Sequence, residues 1–411
     1  MINLQTQWTT WSTSQLIESG VLEIGDGYRA KNSEMGSVGL PFARAGNIDN
    51  GFHFDDVDLL DEMNIPKAGS KVSRPGDVVF TSKGTVGRFA FVKPKTQKFV
   101  YSPQLCYWRV KDPSIIDPRF LFYWMHSRDF TNQVHQVKGL TDMADYVSLG
   151  DQRRMKITVP PLPIQHKIAA ILSAYDDLIE NNTRRIAILE EMAQSLYREW
   201  FVCFRFPGHE KGRTVETALG LIPEGWEVMR LGDVVELAYG KALKADTRIA
   251  ESVPVYGSAG IVGYHNEALV KGPGIIVGRK GNVGSVFWSD ADFFPIDTVF
   301  YVRSKIRLYY IYYNLREQRF INNDAAVPGL NRNQAYLLPF LLPSEATLEQ
   351  FEEFISPLFR QINLLSKKNT NLRRTRDLLL PKLISGVVDV EGLAIETGER
   401  ELPTVSKIDA Q

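Results

Sequence analysis

Hydrophobic residues recur at alternating spacings of three and four in two long stretches of this chain. The positions in the first stretch are Leu172, Tyr175, Ile179, Asn182, Ile186, Leu189, Ala193, Leu196 and Trp200. Those in the second stretch are Ile355, Leu358, Ile362, Leu365, Asn369, Leu372, Arg376, Leu379 and Leu383. This is the periodicity of a coiled-coil seam, sustained for about four heptads, and it predicts two long amphipathic helices.

The predicted length of these helices indicates what their apolar stripes pack against. The first should begin at the prolines that follow Val159 and run to about Phe201. About 38 residues span roughly 57 Å, which exceeds one small domain, so the two helices most simply pair with each other in an antiparallel coiled coil. Two unrelated helices, each covering its own domain, are the alternative, because such a stripe also serves ordinary core packing.

Asn182 and Asn369 each stand in an otherwise mostly apolar seam. Facing residues of antiparallel helices have a constant sum of sequence numbers, and these two lie at matching distances from the centres of their helices. We therefore expect them to lie close together and to bond across the seam, where a buried asparagine typically fixes the register. The alternative is that each faces solvent at an irregularity of the seam.

Short apolar runs bounded by glycine and proline lie outside the two long helices. They predict strands at residues 77–80, 89–92, 274–277 and 285–288. Each pair of runs is followed by a strongly aromatic segment, at residues 119–125 and 309–315. At helical spacing, such segments more often form part of a core than a stacking surface.

These elements occur twice in the same order. The aromatic segments match at an offset of 190, which also pairs Gly139-Leu140 with Gly329-Leu330. Residues 172–196 match residues 355–379 at an offset of 183. Upstream, Pro41 falls near Pro254 and Trp11 near Trp226. Several matches in one order indicate an internal duplication, with chance similarity between two aromatic helices as the alternative.

We therefore predict a mixed α/β protein with two pseudo-repeated domains of short strands and helices, joined by the two long helices. The predicted parts are a first domain (1–159), a central helix (160–202), a linker (203–222), a second domain (223–343), a C-terminal helix (344–386) and a disordered tail (387–411). The linker and the tail are assigned from their polar composition with interspersed glycine and proline.

Composition limits the class of protein. Lysine plus arginine and aspartate plus glutamate both number 48, so the formal net charge is zero, whereas a stand-alone nucleic-acid-binding protein is usually basic. Cys106 and Cys203 lie far apart without a CxxC pattern, which excludes a disulfide framework and a structural zinc cluster. No apolar run approaches a signal peptide or a membrane span, so we expect a soluble, cytoplasmic protein.

Two glycine loops occupy matched positions in the repeats. Lys83-Gly-Thr-Val-Gly and Lys280-Gly-Asn-Val-Gly each follow a predicted strand. Glycines let backbone N–H groups approach a phosphate and the lysine adds charge, although neither loop has the order of a Walker A motif. A β-hairpin with a solvated lysine explains each loop equally well.

Charge is segregated around the first loop. Basic residues cluster between Lys71 and Lys111, where Asp77 is the only acid, and acids cluster between Asp49 and Glu62. Such a distribution fits a local phosphate-binding face in a neutral chain, and it also fits a merely solvated face. The candidate DNA contacts are Lys83, Thr85, Arg88, Arg44, Arg279, Lys280, Asn282 and Arg332.

No catalytic or metal-binding motif accompanies the loops. The six histidines have no ligand spacing, and GxSxG is absent. The chain also lacks the NPPY or DPPY tetrad and the glycine-rich cofactor loop of an amino-methyltransferase. We therefore assign it no catalytic residue, no metal and no cofactor, and expect any catalysis to come from partners.

Five segments resemble those of type I restriction-modification specificity subunits, and the resemblance covers nearly the whole chain. They are VPPLPIQ from Val159, FVCFRFPGHE from Phe201, IPEGWEVMRLGD from Ile222, VPVYGSAGIVGY from Val253 and LPKLISG from Leu380. The first domain departs from the Pro-Glu-Gly-Trp opening of the second, which leaves its start undefined.

The resemblance implies a non-catalytic subunit that binds double-stranded DNA, with two target-recognition domains that each read one half of a split, asymmetric site. It also implies that the helices hold the domains apart and dock two methyltransferase subunits, with a restriction and translocation subunit as an optional further partner. S-adenosylmethionine and ATP would bind those partners. The target sequence itself does not follow from the chain, because loops decide which side chains reach the base edges.

Two rival hypotheses belong to other classes of protein. The first is an enzyme that cradles phosphates on the glycine loops, which the missing nucleotide and methyltransferase motifs weaken. The second is a helical scaffold or adaptor without DNA specificity, which the matched loops and the local basic run weaken less decisively.

Overall fold

The computed structural model describes residues 8–49, 51–84, 86–137, 146–249, 251–320 and 329–397. These residues form two compact units. Unit 1 takes the described residues up to Glu180 together with those from Thr370 onward, and unit 2 spans Asn181–Asn369. Each unit therefore combines one strand-rich domain with half of each long helix, so the division between the units falls within the helices.

Unit 1 contains two four-stranded sheets, with strand orders β2-β9-β6-β7 and β3-β5-β4-β8, and a separate antiparallel pair of β1 and β10. The strands are β1 (Thr9–Ser12), β2 (Leu22–Asp26), β3 (Met35–Gly36), β4 (Gly39–Ala43), β5 (Leu59–Asp61), β6 (Val78–Thr81), β7 (Phe89–Phe91), β8 (Val100–Tyr101), β9 (Leu105–Val110) and β10 (Lys156–Val159). The helices are α1 (Thr13–Glu18), α2 (Ile65–Ala68), α3 (Pro118–Met125), α4 (Arg128–Val137), α5 (Leu149–Arg154) and the start of α6 (Leu162–Tyr197).

Unit 2 contains a sheet of order β14-β20-β17-β18, a sheet of order β16-β15-β19, and the pairs β13–β21 and β11–β12. The strands are β11 (Thr214–Thr217), β12 (Gly220–Pro223), β13 (Glu227–Arg230), β14 (Glu236–Tyr239), β15 (Val253–Gly257), β16 (Gly260–His265), β17 (Gly274–Gly278), β18 (Val286–Ser289), β19 (Phe294–Pro295), β20 (Val299–Arg303) and β21 (Pro339–Leu342). A π-helical turn (Arg198–Val202) continues α6, and the further helices are α7 (Leu231–Val234), α8 (Leu308–Glu317), α9 (Arg332–Tyr336) and α10 (Glu345–Ile384).

The predicted duplication is confirmed by the strand pairing. The four-stranded sheets β2-β9-β6-β7 and β14-β20-β17-β18 have the same order and the same antiparallel pairing. In each unit a strand that carries the predicted proline, Pro41 or Pro254, is also paired in parallel with a two-residue strand. The two units are therefore repeats of one fold rather than a chance match of helices.

Strand register corrects two details of the sequence match. Thr9 pairs with Val159 and Glu227 pairs with Leu342, so the structural counterpart of Trp226 is Trp8 rather than Trp11. The second correction concerns the segment that pairs with each glycine loop. Lys83 forms a β-bridge with Tyr146, and Lys280 forms the equivalent β-bridge with Gly329. Tyr146-Val147 thus corresponds to Gly329-Leu330, and the predicted partners Gly139-Leu140 lie outside the described residues.

The aromatic segments form helices that pack into the cores, as predicted. Asp117 caps α3 by accepting a hydrogen bond from the Phe120 N–H at 2.8 Å, and Pro118 occupies the first turn. Trp124 lies against Trp108 and Phe130 in the core of unit 1. In unit 2, α8 contributes a corresponding set of buried side chains: Tyr310, Ile311, Tyr313 and Leu315.

The long helices complete both cores. Unit 1 buries Ile168 and Leu172 of α6 together with Leu383 of α10, and unit 2 buries Tyr197 of α6 together with Phe351 of α10. Every predicted seam position is buried or partly buried, whereas Leu178 and Leu378, which lie off the seam, are more than half exposed. The helices therefore pair with each other. Among the described helices, none has a stretch apolar enough to cross a membrane.

The seam of unit 2 is antiparallel and contains the two asparagines. Asn182 Nδ2 donates to Asn369 Oδ1 at 2.9 Å, and Asn369 Nδ2 donates to Thr183 Oγ1 at 3.2 Å. Farther along the pair, Tyr197 meets Phe351 with ring centroids 6.5 Å apart. Asn369 is 2% exposed, so its amide depends on these protein partners rather than on water.

Two segments differ from the prediction. The linker at 203–222 contains strand β11 and most of strand β12, which pair as a short hairpin between Thr214 and Pro223. In the tail, Val390 is 1% exposed and joins the core of unit 1, so the start of residues 387–411 is packed rather than disordered. Single apolar side chains in polar sequence produce too weak a pattern to reveal such packing.

The asparagine contact predicts a double-mutant signature. Asn182→Leu alone removes the donor to Asn369 Oδ1 and should destabilise the protein by about 1–3 kcal/mol, because a buried polar atom that loses its hydrogen bond carries a desolvation cost. Asn182→Leu combined with Asn369→Leu should recover most of this loss. Urea unfolding of the full chain measures both effects.

Asn181→Leu, at the exposed neighbouring position, is the matched control and should change the unfolding midpoint little. A double variant as unstable as the single one would contradict the assigned role of the amide pair.

Candidate nucleic-acid interface

The glycine loops are hairpin turns whose described residues have matching backbone hydrogen bonds and glycine φ angles in both units. They connect β6 to β7 and β17 to β18. Gly84 and Gly281 both have φ of +81°, and the second glycine of each loop also has a positive φ. Val86 N donates to Gly84 O at 3.0 Å, and Val283 N donates to Gly281 O at 2.8 Å. Only glycine adopts such φ angles without strain, which explains the repeated Lys-Gly-x-Val-Gly pattern.

Each loop is held by a second segment of its unit. Val147 N donates to Ser82 O at 2.9 Å, and Leu330 N donates to Arg279 O at 2.8 Å. The side chains of Lys83 and Lys280 are exposed. Within the described residues, the N–H groups of Gly281 and Asn282 donate to no acceptor. A fixed turn with free amides and a lysine is suited to binding an anion such as a phosphate.

Two further unit 1 candidates, Arg88 and Arg44, lie at the short helical turn Ala45–Asn47. Arg88 Nη1 donates to Ala45 O at 3.2 Å, next to Arg44. Arg44 Nη2 forms an ion pair with Asp58 Oδ2 at 2.6 Å, which offsets its charge. Thr85 lies outside the described residues. Lys83 and Arg88 are therefore the stronger phosphate candidates of this unit.

The basic run between Lys71 and Lys111 is not a continuous basic face, because four of its cations form ion pairs, three with acids outside the run and one with Asp77 inside it. The pairs are Lys71 with Asp26 at 2.9 Å, Lys93 with Glu180, Arg109 with Asp77 at 2.7 Å and Lys111 with Glu23 at 3.7 Å.

The Arg109–Asp77 pair serves the core of unit 1 rather than DNA. Its side chains are 5% and 0% exposed, and Tyr101 donates a further hydrogen bond to Asp77 at 2.6 Å. Burial, reinforced by the Asp77 carboxylate, raises the pKa of Tyr101 well above its usual value, so Tyr101 remains a donor. Breaking a buried pair of this kind typically costs several kcal/mol.

Two candidate residues of unit 2, Arg279 and Arg332, lie beside one aromatic ring. The Arg279 and Arg332 guanidinium carbons lie 4.9 Å and 4.8 Å from the centroid of Tyr239, and Lys280 follows Arg279 on the loop. We call Tyr239, Arg279, Lys280 and Arg332 the Tyr239 cluster. Within the part of the chain that the structure describes, none of its cations is paired with a carboxylate. Neighbouring cations without a counter-ion raise the local positive potential, which attracts an anionic ligand.

Asn282 is one of the candidate contacts predicted from the sequence, whereas Tyr239 is not. Asn282 lies on the exposed loop, where its backbone oxygen accepts from Ser285 Oγ at 2.8 Å. Tyr239 was missed, since it lies 40 residues before Arg279 and belongs to another strand. Its only signal was an aromatic residue at a strand end directly before Gly240-Lys241.

The described residues contain no group of three or more His, Cys, Asp or Glu side chains placed to hold a metal ion. Cys106 is buried and Cys203 exposed, and both are free thiols. The two loop faces present cations, backbone amides and exposed aromatic rings, Tyr146 beside Lys83 and Tyr239 beside Arg279. These groups can bind phosphate and approach the edges of bases.

Comparison with known proteins identifies relatives over most of the chain. The family described as type I restriction modification DNA specificity domain matches residues 10–191 and 223–374. The type I restriction enzyme MjaIX specificity subunit of Methanocaldococcus jannaschii is 24% identical over 363 residues, covering 81% of this chain and 82% of that protein. The HindI specificity subunit of Haemophilus influenzae is 20% identical over 438 residues, covering 84% and 94%.

A solved structure shares the fold. The crystal structure of the type I restriction-modification system S subunit from M. genitalium superimposes with a TM-score of 0.60 at 16% identity, covering 93% of this chain and 97% of that one. A solved structure therefore has a similar fold over nearly the whole chain.

The matched loops predict a sequence-independent contribution to DNA binding. Lys83→Ala or Lys280→Ala should weaken binding to all duplexes alike, because a phosphate contact carries no base information. The slope of log affinity against log salt should fall by about one for each lysine removed. Titrations of the full chain with its partner subunits at several salt concentrations measure this slope.

Lys95→Ala and Lys271→Ala are the matched controls, since both lysines are exposed and lie at the opposite ends of β7 and β17 from the loops. A loop variant that altered sequence preference while leaving the salt slope intact would rule out the phosphate role.

Proposed function

This chain belongs to the type I restriction-modification DNA specificity family, and we propose from this premise that unit 1 and unit 2 each read one half of a split, asymmetric DNA site. The chain is the non-catalytic specificity subunit of such an enzyme. The proposal rests on one observation above all: the same recognition fold occurs twice, with the same loop but different side chains around it.

Some equivalent positions of the two units have the same side chain, and others have side chains of different chemistry. Lys83 and Lys280 occupy the same place on the same turn, which suits contacts to phosphates. Asp26 and Tyr239 also occupy one place in the two sheets, since Asp26 pairs with Cys106 where Tyr239 pairs with Phe300. Base readout depends on the side chains that reach the groove, so two units that differ here should read different bases.

The exposed faces of the long helices are the surface that we propose for docking of methyltransferase subunits. Off the seam, α6 and α10 expose apolar side chains with exposed fractions of 47–58%: Leu178, Ile188, Met192, Phe354, Leu364 and Leu378. Exposed apolar residues along helices whose seam is already filled favour a protein partner. We propose that two methyltransferase subunits bind there, with a restriction and translocation subunit as a further partner, and that S-adenosylmethionine and ATP bind to these partners.

Mapping of methylated adenines tests the proposal. The full chain is expressed with its methyltransferase in a host that lacks other such enzymes, and the host DNA is sequenced for modified bases. We expect one split motif whose two halves differ. Binding that shows no sequence preference even with the partner present would favour a helical scaffold instead.

Modularity gives a sharper prediction. Exchange of residues 1–155 for those of a relative should change one half of the methylated motif and leave the other half intact, because unit 2 supplies its own core and its own loop. The reciprocal exchange within residues 223–343 is the control and should change the opposite half. If either exchange altered both halves together, the two units would not be independent readers.

A further inference from the structure

We infer that Arg332 of the Tyr239 cluster reads a guanine in the half-site of unit 2, while Lys280 holds a phosphate beside it. The inference rests on the proposed function and names the base-reading residue within it. It depends on how the guanidinium of Arg332 is held, on the absence of an internal partner for it among the described residues, and on what stands at the same place in unit 1.

The Arg332 guanidinium is positioned by aromatic rings rather than by a carboxylate. It lies 4.8 Å from the centroid of Tyr239 and 5.9 Å from that of Tyr336. Tyr336 is itself anchored, because its hydroxyl oxygen accepts the Leu237 N–H at 2.9 Å. A planar guanidinium stacked on fixed rings loses little rotational freedom on binding, so its N–H fork is preorganised for a planar acceptor pair.

Its hydrogen-bonding capacity is unused within the described residues. Arg332 Nε is buried without a hydrogen-bond partner, and the terminal nitrogens have none either. Arg279 differs, because its Nη1 donates to Asp297 O at 3.1 Å while the side chain stacks on Tyr239 and Phe300. Arg332 is therefore the freer of the two forks. In the major groove, guanine N7 and O6 form the acceptor pair that an arginine fork matches.

The positions of Lys280 and Arg332 in the fold suit them to different contacts with DNA. Lys280 lies on the hairpin turn that recurs in both units, whereas Arg332 is the first residue of α9, directly after the capping Asn331. The backbone of the turn and the residues before α9 are joined by the Lys280–Gly329 bridge. A phosphate held at the turn would thus place the DNA backbone next to the guanidinium of Arg332. Phosphate contacts commonly fix the position of a protein on DNA so that other side chains can reach the bases.

Unit 1 lacks this arrangement at the same place. Leu149 follows the capping Ser148 at the start of α5, where unit 2 has Arg332 after Asn331. Asp26 stands in place of Tyr239 and is paired with Lys71. Since Leu149 and Asp26 stand at these two places in unit 1, the guanine contact proposed for Arg332 has no counterpart there.

The test compares Arg332→Lys with the unchanged chain, each assembled with its methyltransferase. The probes are duplexes that carry the motif mapped for the unchanged chain, with every base pair substituted in turn. Lysine keeps the charge but loses the fork, so preference for one guanine in the half read by unit 2 should fall about 10- to 100-fold. The salt slope and the preferences in the other half should stay unchanged.

A probe with 7-deazaguanine at that position, which lacks the N7 acceptor, sharpens the result. It should weaken binding by the unchanged chain and have little effect on Arg332→Lys, because the lost contact is the same in both. Tyr239→Leu should cause a smaller loss at the same base, since Tyr239 positions the fork. Arg316→Lys is the control, because Arg316 also stacks on aromatic rings, at 5.5 Å from Tyr312, but belongs to α8.

The outcomes separate the inference from the proposed function. If the unchanged chain reads a split site and Arg332→Lys leaves every preference intact, the inference fails and the function stands. A uniform loss over all sequences with a lower salt slope under Arg332→Ala would make Arg332 a phosphate contact and also overturn the inference. If the unchanged chain has no sequence preference at all, the proposed function itself fails. Thermal unfolding of each variant shows whether a loss reflects folding.

Discussion

Each strand-rich domain shares its hydrophobic core with the two long helices, and this shared packing governs the architecture. Side chains of both long helices complete each core, from Leu172 and Leu383 in unit 1 to Tyr197 and Phe351 in unit 2. Burial of large apolar side chains contributes roughly 1.5–3 kcal/mol each, so either core would lose several times that amount without the helices. The seam is thus part of two cores as well as a connection between two domains.

The duplicated fold separates the strength of DNA binding from its sequence preference. The turns at Lys83 and Lys280 keep the same backbone because their glycines occupy φ angles that other residues avoid. Around these turns the side chains are free to differ, and at one equivalent place unit 1 has Asp26 where unit 2 has Tyr239. A turn repeated in both units can supply electrostatic attraction in both halves, while side chains that differ between the units can set which bases are preferred.

Most of the architecture was predictable because it depends on local periodicity. The seam spacing, the aromatic core helices and the order of repeated elements all followed from residues close together in the chain. Errors arose where loops change length or where pairing is decided far away. The counterpart of Trp226 is Trp8 because β1 and β10 pair in one register, and Val390 is buried although its neighbours in sequence are polar.

The sequence by itself determined the duplication, the antiparallel helix pair and the register that joins Asn182 to Asn369. Only the tertiary structure decided which charges are available to DNA. Lys71 and Arg109 looked like part of a basic face, yet Asp26 and Asp77 neutralise them. The ring of Tyr239 became a candidate only when Arg279 and Arg332 were found beside it. The physical reason is that ion pairing and stacking depend on distance in space, which the folded chain sets and sequence spacing does not.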